Sequence, residues 1–397
     1  MQHPRSMRTL IGICTLLLWL TRFSSAWAAN AKTVFVIAME NHNWTQPANQ
    51  FAGGIQQIFQ NPAAPYINSL VNGTSPISDQ VSYATAYHNV LATSTGNNLH
   101  IHPSEPNYLW SEAGTNFGVF NDNDPCGTNG SPTVQNTTEH LTTFITNAGK
   151  TWKSYQEDID LTADGTTFDN VVLPQSEWTV PLKSILGIFA SGTNAYNGSN
   201  QFNYAAKHNP MVFFADTNGS CDFSTSNPMR LQYAPLQQFA GDLANDTVAD
   251  YNWITPDQYN DMHSGLTGGF QGLTGDPAKI RQGDNFLSLI VPMIMASKAY
   301  QDHGVIIIWF DESEQDGVAG DNADDFDHII GEIIISKDAS QSGGQPFAST
   351  LNFTHSSDLR SMENIFHVGQ LYLGDAATVG TNDLSDLFRP GSIPKKD

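Results

Sequence analysis

Four short, continuous apolar runs constrain the fold of this chain more than any other feature of its sequence. They are rich in β-branched and aromatic residues, as strands covered on both faces of a sheet are. The runs are VFVIAM from Val34, MVFFA from Met211, VIIIWF from Val305 and EIIIS from Glu332. Helix-like stretches lie between them, namely EHLTTFITNAGKTWKSY from Glu139 and FLSLIVPMIMASKAY from Phe286. This alternation predicts an α/β fold with a mostly parallel central sheet and helices on both faces.

Acidic residues follow three of these predicted strands. Glu40-Asn41-His42 follows the first run, Asp216 follows the second, and Asp311-Glu312 follows the third. One such residue alone is more often a turn residue or a helix cap. In an open α/β sheet, however, ligands bind at the carboxyl ends of the strands, so the three sites would meet there. Clustered carboxylates repel one another, and a divalent cation is the simplest way to neutralise them.

The first 28 residues have the pattern of a secretory signal peptide. Arg5 and Arg8 precede the apolar run LIGICTLLLWL, and Ala26-Trp27-Ala28 supplies a cleavage pattern of small residues. We therefore expect residues 1–28 to be a signal peptide and the protein to be secreted or periplasmic. Residues 29–397 are predicted to form a single catalytic domain, since no internal repeat or Pro-rich linker divides them.

Two of the three cysteines, Cys126 and Cys221, lie beyond the predicted signal peptide. Two cysteines in an exported protein suggest one disulfide bond, and two buried free thiols are the alternative.

The charge of the chain excludes some classes of partner. It contains 39 Asp and Glu residues against 17 Lys and Arg residues, a formal net charge of −22. The basic surface that binds phosphate backbones is therefore missing, which weighs against nucleic acid as a partner. Beyond the signal peptide no stretch is long and apolar enough for stable membrane insertion.

Residues 114–136 and 187–203 are rich in Gly, Asn, Thr and Ser. They are predicted to be loops near the site, or plain surface loops.

The segment NNLHIHPSEPNYLWSEAG predicts a helix that begins with a hydroxyl group. Ser104 has the character of an N-cap, with Glu105 and Pro106 in the first turn. There the hydroxyl would face unpaired N–H groups and the positive end of the helix dipole, which suits a nucleophile that attacks phosphorus. The alternative is that Ser104 only caps the helix. The chain has no Gly-x-Ser-x-Gly elbow, His-Glu-x-x-His helix or P-loop, so an ordinary lipase, zincin or kinase is excluded.

An ordered set of motifs in this sequence resembles the phosphoesterase family. That family contains secreted acid phosphatases and phospholipase C enzymes of the non-haemolytic type, within the alkaline-phosphatase-like superfamily of metal-dependent hydrolases. The motifs span nearly the whole chain beyond the signal peptide. They are VFVIAMEN, HPSEPNYLWSEAG, WKSYQED, KHNPMVFF, ITPDQYNDMHSG, VIIIWFDES, DHIIGEIII and HSSDLRSMENIF. The resemblance implies an alkaline-phosphatase-like fold.

The resemblance also implies roles for individual residues. Ser104 resembles the nucleophile that forms a phosphoserine intermediate and contacts a metal ion. Glu40 and Asn41 resemble metal and phosphate contacts. Asp311 and Glu312 stand where the superfamily usually has Asp-His, so they would supply oxygen ligands to a hard divalent cation, with one or two ions bound.

Further phosphate or metal contacts are implied at His102, Asn107, His208, Asp261, His263, His328 and His355. His263, His208 and His355 are also candidates for the acid that protonates the leaving alcohol. His328 follows Asp327, where the family pattern has glycine, and Asp316 is a further candidate for the metal shell.

The resemblance implies a metal-dependent acid phosphatase that acts on small phosphomonoesters. A phospholipase C-type phosphodiesterase is the alternative, although we find no amphipathic, Lys/Arg-rich helix that would hold a bilayer surface. A non-catalytic secreted binding protein on the same fold is a further alternative. A glycosidase with paired carboxylates is an alternative on acid content alone, but its mechanism would not use Ser104.

Overall fold

The computed structural model of the chain describes residue 1 and residues 30–46, 57–89, 101–314 and 327–395. The predicted signal peptide, apart from Met1, and Asp316 lie outside these residues. Within the described ranges, no helix is long and apolar enough to cross a membrane.

The described residues form seventeen strands and eight α-helices, joined by loops and short 3₁₀ helices. The strands are β1 (Thr33–Met39), β2 (Asn43–Thr45), β3 (Val81–Ala84), β4 (Tyr87–His88), β5 (Trp152–Gln156), β6 (Leu161–Ala163), β7 (Phe168–Val172), β8 (Ile185–Ile188), β9 (Gln201–Tyr204), β10 (Tyr233–Pro235), β11 (Tyr251–Thr255), β12 (Gly304–Phe310), β13 (Ile329–Ile330), β14 (Glu332–Ser336), β15 (Gln341–Ser342), β16 (Gln345–Ser349) and β17 (Phe353–Thr354). The helices are α1 (Pro65–Val71), α2 (Ser104–Ala113), α3 (Leu141–Asn147), α4 (Ala215–Asn218), α5 (Phe239–Asn245), α6 (Asp276–Met295), α7 (Lys298–Gln301) and α8 (His355–Ile365).

The central sheet has nine strands in the order β10-β5-β11-β1-β12-β14-β3-β16-β15. The five strands from β10 to β12 run parallel, whereas β14 is antiparallel to both β12 and β3. The predicted α/β fold with a mostly parallel central sheet is confirmed. Strands β1 and β12 are paired over their whole length, from Thr33 opposite Gly304 to Met39 opposite Phe310. Their apolar side chains are buried, and each contributes roughly 1.5–3 kcal/mol to folding.

Three of the four predicted buried strands are present, at β1, β12 and β14. The fourth, MVFFA from Met211, is wrong as a strand: Pro210–Phe213 is a 3₁₀ helix, and α4 follows it. Its apolar side chains are fully buried all the same. Burial alone does not separate a short strand from a buried helical turn, and Pro210 at the start removes a donor that a sheet would need.

The helix expected from Glu139 is shorter than predicted. It ends at Asn147, and WKSYQ forms the parallel strand β5. Gly149, with φ of +71°, adopts the left-handed conformation that turns the chain between the two elements. The second predicted helix is longer than expected, because α6 begins ten residues before Phe286. The predicted loop over residues 187–203 is partly wrong, since its ends belong to the β8–β9 hairpin.

Cys126 and Cys221 form the predicted disulfide bond, which joins the segment after α2 to the segment after α4. It closes a loop across a sequence separation of 95 residues. In the loop-entropy description, a bridge of this span stabilises the folded chain by about 4 kcal/mol. Unfolded, unreduced protein is therefore expected to contain no free thiol at these positions, and Cys126→Ser with Cys221→Ser is expected to lower the unfolding free energy by several kcal/mol. Titration of two free thiols in the unreduced protein would contradict the bond.

Candidate active site

The register of β1 and β12 brings two acidic side chains together at the carboxyl edge of the sheet. Met39 lies opposite Phe310, so Glu40 and Asp311 leave neighbouring parallel strands at the same level. Both are fully buried. The Asn41 backbone N–H donates to Asp311 Oδ1 at 3.0 Å, and Asn41 Nδ2 donates to Glu312 Oε1 at 2.6 Å. The predicted cluster of Glu40, Asn41, Asp311 and Glu312 is therefore assembled by the sheet itself.

Helix α2 directs its first residue at this cluster. Ser104 Oγ donates a hydrogen bond to Glu40 Oε2 at 3.0 Å, and the serine is buried. The predicted N-cap role is wrong: Ser104 is the first helical residue, and Pro103, in extended conformation, occupies the cap position. The hydroxyl still lies at the positive end of a ten-residue helix, and its hydrogen bond goes to the Glu40 carboxylate.

Two further predicted residues hold Glu312. His102 Nδ1 lies 2.5 Å from Glu312 Oε2, and Asn107 Nδ2 donates to the same oxygen at 3.2 Å. Asn107 also donates to the Ile101 carbonyl at 2.9 Å, which connects helix α2 to the segment before it. His102 and Asn107 thus contact the acidic cluster through Glu312, and their predicted contact with phosphate stays a prediction.

A third set of side chains lies next to the other carboxylate oxygen of Glu40, Oε1. His208 Nε2 lies 3.2 Å from Glu40 Oε1, and His208 Nδ1 lies 3.3 Å from Asp261 Oδ2. Neither contact has hydrogen-bond geometry, and the three side chains offer ligand atoms within 4.8 Å of one another. The Glu40 backbone N–H donates to the Asp261 carbonyl at 2.9 Å, which fixes this arrangement. The ring of His263 lies 6.0 Å from the ring of His208.

The electrostatics of the cluster favour a bound cation. Burial raises the pKa of Glu40 well above its usual value, and the neighbouring charge of Asp311 raises it further. The pKa of Asp311 is raised by burial and then by Glu312, and that of Asp261 by burial and then by Glu40. Burial and mutual repulsion oppose the ionisation of all three carboxyl groups. They are stable as carboxylates only when a positive charge lies beside them.

The donor set fits a divalent metal ion. Asp311 Oδ2, Asp261 Oδ2 and Asn41 Oδ1 are buried and accept no hydrogen bond from the protein. Carboxylate and amide oxygens with one imidazole are ligands for hard or intermediate divalent cations. Orphaned acceptors in a buried acidic cluster are costly unless a cation satisfies them. These donors suit a divalent cation. At this site the described residues whose ligand atoms lie within 4.8 Å of one another are Glu40, His208 and Asp261; of the predicted metal ligands only Glu40 belongs to this group, and ligation by Asn41, Ser104, Asp311 and Glu312 stays a prediction.

His355 is placed behind the cluster. Its Nε2 lies 2.5 Å from the Asp311 carbonyl oxygen, and Trp309 Nε1 donates to its Nδ1 at 3.1 Å. Burial lowers the pKa of His355 to about 3, so the ring is neutral. Both ring nitrogens contact protein groups, so the geometry departs from the predicted phosphate or metal contact and fits a residue that positions Asp311.

His328 is fully buried immediately before β13. That strand pairs with β2, which begins two residues after Asn41. In this antiparallel pairing Ile329 lies opposite Thr45 and Ile330 opposite Asn43, so His328 lies at the end of β2 that is farther from Asn41, and its role as a phosphate contact stays a prediction.

Two residues of this site were not predicted from the sequence. The Tyr108 hydroxyl donates to Glu40 Oε1, and its ring stacks on His208 with 5.2 Å between ring centroids. Tyr108 is four residues after Ser104, so helical spacing could have placed it on the same face. Lys207 Nζ donates to Asp122 Oδ2 at 3.0 Å; burial opposes its charge, but Asp122 and Glu40 raise its pKa above the usual value.

The predicted position of Asp216 at the end of a strand is wrong. Asp216 does not reach the cluster, because it belongs to α4 rather than to the end of a strand. His140 instead lies between two carboxylates, with Nδ1 3.0 Å from Glu112 Oε2 and Nε2 3.0 Å from Asp216 Oδ1. Burial by itself lowers the pKa of His140, but the hydrogen bonds to Asp216 and Glu112 raise it above the usual value.

The His140 arrangement predicts a stability that depends on pH. A raised folded-state pKa means that the imidazolium stabilises the fold fully below pH about 6.5 and that this contribution is lost as pH rises through the folded-state pKa. His140→Gln is expected to lower the unfolding free energy at pH 5 by about 3 kcal/mol, as breaking a buried ion pair does, and by less at pH 9. Urea unfolding at both pH values measures this, with the exposed His367→Gln as the control. An equal loss at both pH values would refute a charged His140.

Most of this chain matches a known protein family. Residues 20–369 match the phosphoesterase family. An acid phosphatase of Aspergillus fumigatus is 29% identical over 163 residues, which cover 41% of this chain and 28% of that protein. A probable acid phosphatase of Kluyveromyces lactis is 24% identical over 222 residues, covering 55% of this chain and 39% of that protein. The matched segments thus span well under half the length of these curated relatives.

Solved structures with a similar fold include a protein of the alkaline phosphatase superfamily from Vibrio parahaemolyticus. It has a TM-score of 0.43 and 12% sequence identity, over 86% of this chain and 68% of that one. A phosphonate monoester hydrolase from Silicibacter pomeroyi has a TM-score of 0.42 and 12% identity, over 93% of this chain and 78% of that one.

Proposed function

The chain belongs to the phosphoesterase family, and on that basis we propose that it is an acid phosphatase that hydrolyses small phosphomonoesters through a phosphoserine intermediate. One observation supports this proposal above the others: the Ser104 hydroxyl, at the N-terminus of α2, donates to Glu40 inside a buried cluster of carboxylates. A hydroxyl in that position has both a proton acceptor and a positive dipole beside it, which are what a serine nucleophile needs.

Ser104 would attack phosphorus while Glu40 orients its hydroxyl. The hydrogen bond from Ser104 Oγ to Glu40 Oε2 fixes the rotamer of the serine. Tyr108 donates to the other oxygen of Glu40, so the carboxylate keeps its orientation when the serine proton leaves. Lys207 adds positive charge near the cluster, which favours binding of an anionic phosphoryl group.

We propose that Glu40, Asn41, Ser104, Asp311 and Glu312 hold a divalent cation, with His208 and Asp261 beside them. When bound, such an ion polarises a phosphoryl oxygen and lowers the pKa of the serine hydroxyl. The residues around it have separate tasks: His102 and Asn107 orient Glu312, and His355 orients the Asp311 backbone.

The leaving alcohol needs a proton, and His263 is our candidate donor. It is only partly buried, whereas His208 is enclosed between Glu40 and Asp261. Burial, and then the charge of Lys207, lowers the pKa of His263 to about 4. The imidazole therefore carries a proton to donate mainly in acidic solution, which agrees with hydrolysis at low pH.

A phospholipase C-type phosphodiesterase is the second candidate, favoured by one surface feature. Val171 on β7 and Leu186 and Ile188 on β8 are between 59% and 65% exposed. Exposed aliphatic side chains on neighbouring hairpins can contact a lipid aggregate. Either activity would take place outside the cytoplasm, since we propose export of the chain; the Cys126–Cys221 disulfide supports an oxidising compartment.

One assay distinguishes these functions. We expect the purified protein to release phosphate from an aryl phosphate faster than it cleaves an aryl phosphodiester or phosphatidylcholine, with higher rates at acidic pH and loss of activity after prolonged chelation. Faster hydrolysis of phosphatidylcholine would assign the protein to the phospholipase C type. Metal binding without any phosphate release would contradict both candidates and favour a non-catalytic binding protein.

A further inference from the structure

A second buried acidic cluster lies outside the active site. Glu157 and Asp158 follow strand β5, Asp257 follows β11, and all three side chains are almost completely buried. Each offers one carboxylate oxygen, and these oxygens lie within 4.8 Å of one another. Across the described ranges of the chain, no Lys, Arg or His forms a salt bridge with any of the three. Three carboxyl groups are thus enclosed without a cationic side chain of their own.

Hydrogen bonds hold the outer side of each carboxyl group. Glu157 Oε1 accepts from Asn194 Nδ2 at 2.7 Å and from Asn260 Nδ2 at 2.9 Å. Asp158 Oδ2 accepts from the backbone N–H of Asn203 at 2.7 Å, and Asp257 Oδ1 accepts from that of Asn260 at 2.8 Å. These bonds fix the orientation of the three side chains, which is the rigidity that a binding site requires.

The remaining oxygens of the cluster have no donor from outside it, although the carboxyl groups of Asp158 and Asp257 would hydrogen-bond to each other if one of them kept its proton. Asp158 Oδ1 and Asp257 Oδ2 are buried and accept no hydrogen bond from the protein. The same is true of the amide oxygens of Asn203 and Asn260. The Asn260 amide is directed into the cluster, because its nitrogen donates to both oxygens of Glu157. Buried carboxylate and amide oxygens need a hydrogen-bond donor or a cation as a partner, and leaving all of them without one is costly.

We propose that Glu157, Asp158 and Asp257 bind one calcium ion, separate from the catalytic site. Calcium lies about 2.3–2.6 Å from its oxygen ligands, so two ligands on opposite sides of it are roughly 5 Å apart. The three carboxylate oxygens, within 4.8 Å of one another, are close enough to contact one such ion together. The donors are all oxygens, which favours a hard cation over zinc, and the buried setting leaves little room for the several waters that magnesium usually keeps.

The position of this ion gives it a structural task next to the active site. The Asp261 backbone N–H donates to the Asp257 carbonyl at 2.9 Å, so both residues belong to one tight turn after β11. Asp261 Oδ2 in turn lies 3.3 Å from His208 Nδ1 in the catalytic cluster. Calcium at Asp257 would hold this turn, and with it the side chain of Asp261, in place.

Terbium and calcium binding to the full chain test the proposal without any activity assay. Tyr196 lies beside the cluster: its backbone N–H donates to Asn194, whose amide nitrogen donates to Glu157, and burial and then the charge of Glu157 raise the pKa of Tyr196. We expect terbium added to chelator-treated protein to give tyrosine-sensitised luminescence that calcium displaces, and calcium to raise the Tm by several degrees. Metal analysis is expected to find one calcium equivalent more in the native chain than in the Asp158→Asn, Asp257→Asn double variant.

An active-site variant separates the two metal sites. Asp311→Asn is expected to keep the calcium equivalent, the luminescence and the Tm response, because its side chain does not contact this cluster. If calcium neither binds to Asp311→Asn nor raises its Tm, the proposal is overturned, and the three carboxyl groups are neutralised by shared protons instead. This comparison decides the question even if the double variant does not fold.

Discussion

Replacing Ser104 with alanine is expected to lower kcat by about 10³-fold or more while the chain remains folded. The hydroxyl is the nucleophile of the proposed reaction, and nucleophile and metal act as a unit, so removing one removes covalent catalysis altogether. The structural effect is smaller. Glu40 Oε2 loses the hydrogen bond from Ser104, which costs about 1–3 kcal/mol at a buried acceptor, and Glu40 Oε1 keeps the bond from Tyr108.

Ser111→Ala is the matched control for this variant. Ser111 lies on the same helix and is buried, but its hydroxyl donates to the Tyr108 carbonyl within the helix. We expect it to retain nearly full kcat. Steady-state rates with an aryl phosphate, together with circular dichroism of each variant, measure both effects. Near-normal turnover by a folded Ser104→Ala protein would remove Ser104 from the mechanism.

Replacing Asp311 with asparagine is expected to lower metal content and kcat together, the latter at least about 100-fold. Asp311 provides a carboxylate whose Oδ2 accepts no hydrogen bond from the protein, so we assign this oxygen to the cation. The asparagine side chain has nearly the same shape but no charge. It therefore removes part of the charge that balances the ion, with little change in packing.

Asp284→Asn is a suitable control, because Asp284 is also a buried aspartate but accepts hydrogen bonds from the backbone of Tyr66 and Ile67. We expect that variant to keep its active-site metal and its turnover, with a loss of stability only. Metal analysis and rate measurements on the same preparations give the comparison. An Asp311→Asn protein with full metal content and full turnover would exclude Asp311 from the site.

The sequence was most informative where the fold follows from parallel strands. The runs from Val34 and Val305 predicted β1 and β12, and parallel pairing then places Glu40 and Asp311 at one edge. The run from Met211 misled, because a short buried apolar segment has no periodicity that distinguishes a strand from a 3₁₀ turn. The expected role of Asp216 was wrong for the same reason.

The side-chain contacts were less predictable than the strands. Motif order suggested that His208, Asp261 and His355 belong to one site, but no sequence pattern indicates that His355 contacts the Asp311 carbonyl from behind. The second acidic cluster depends on Asn203 and Asp257, which come from separate segments and meet Asp158 and Glu157, respectively, only after folding. Contacts between distant segments depend on loop conformations, which local propensity does not determine.

Trapping of the covalent intermediate tests the central claim most directly. The native protein would be mixed with an aryl phosphate labelled on phosphorus, quenched in acid within the first turnovers, digested and mapped by mass spectrometry. We predict that the label is found on Ser104, in the peptide that contains HPSEPNYLW, and that the Ser104→Ala protein carries none. Label on a histidine, or efficient turnover without any labelled peptide, would contradict the proposed phosphoserine mechanism.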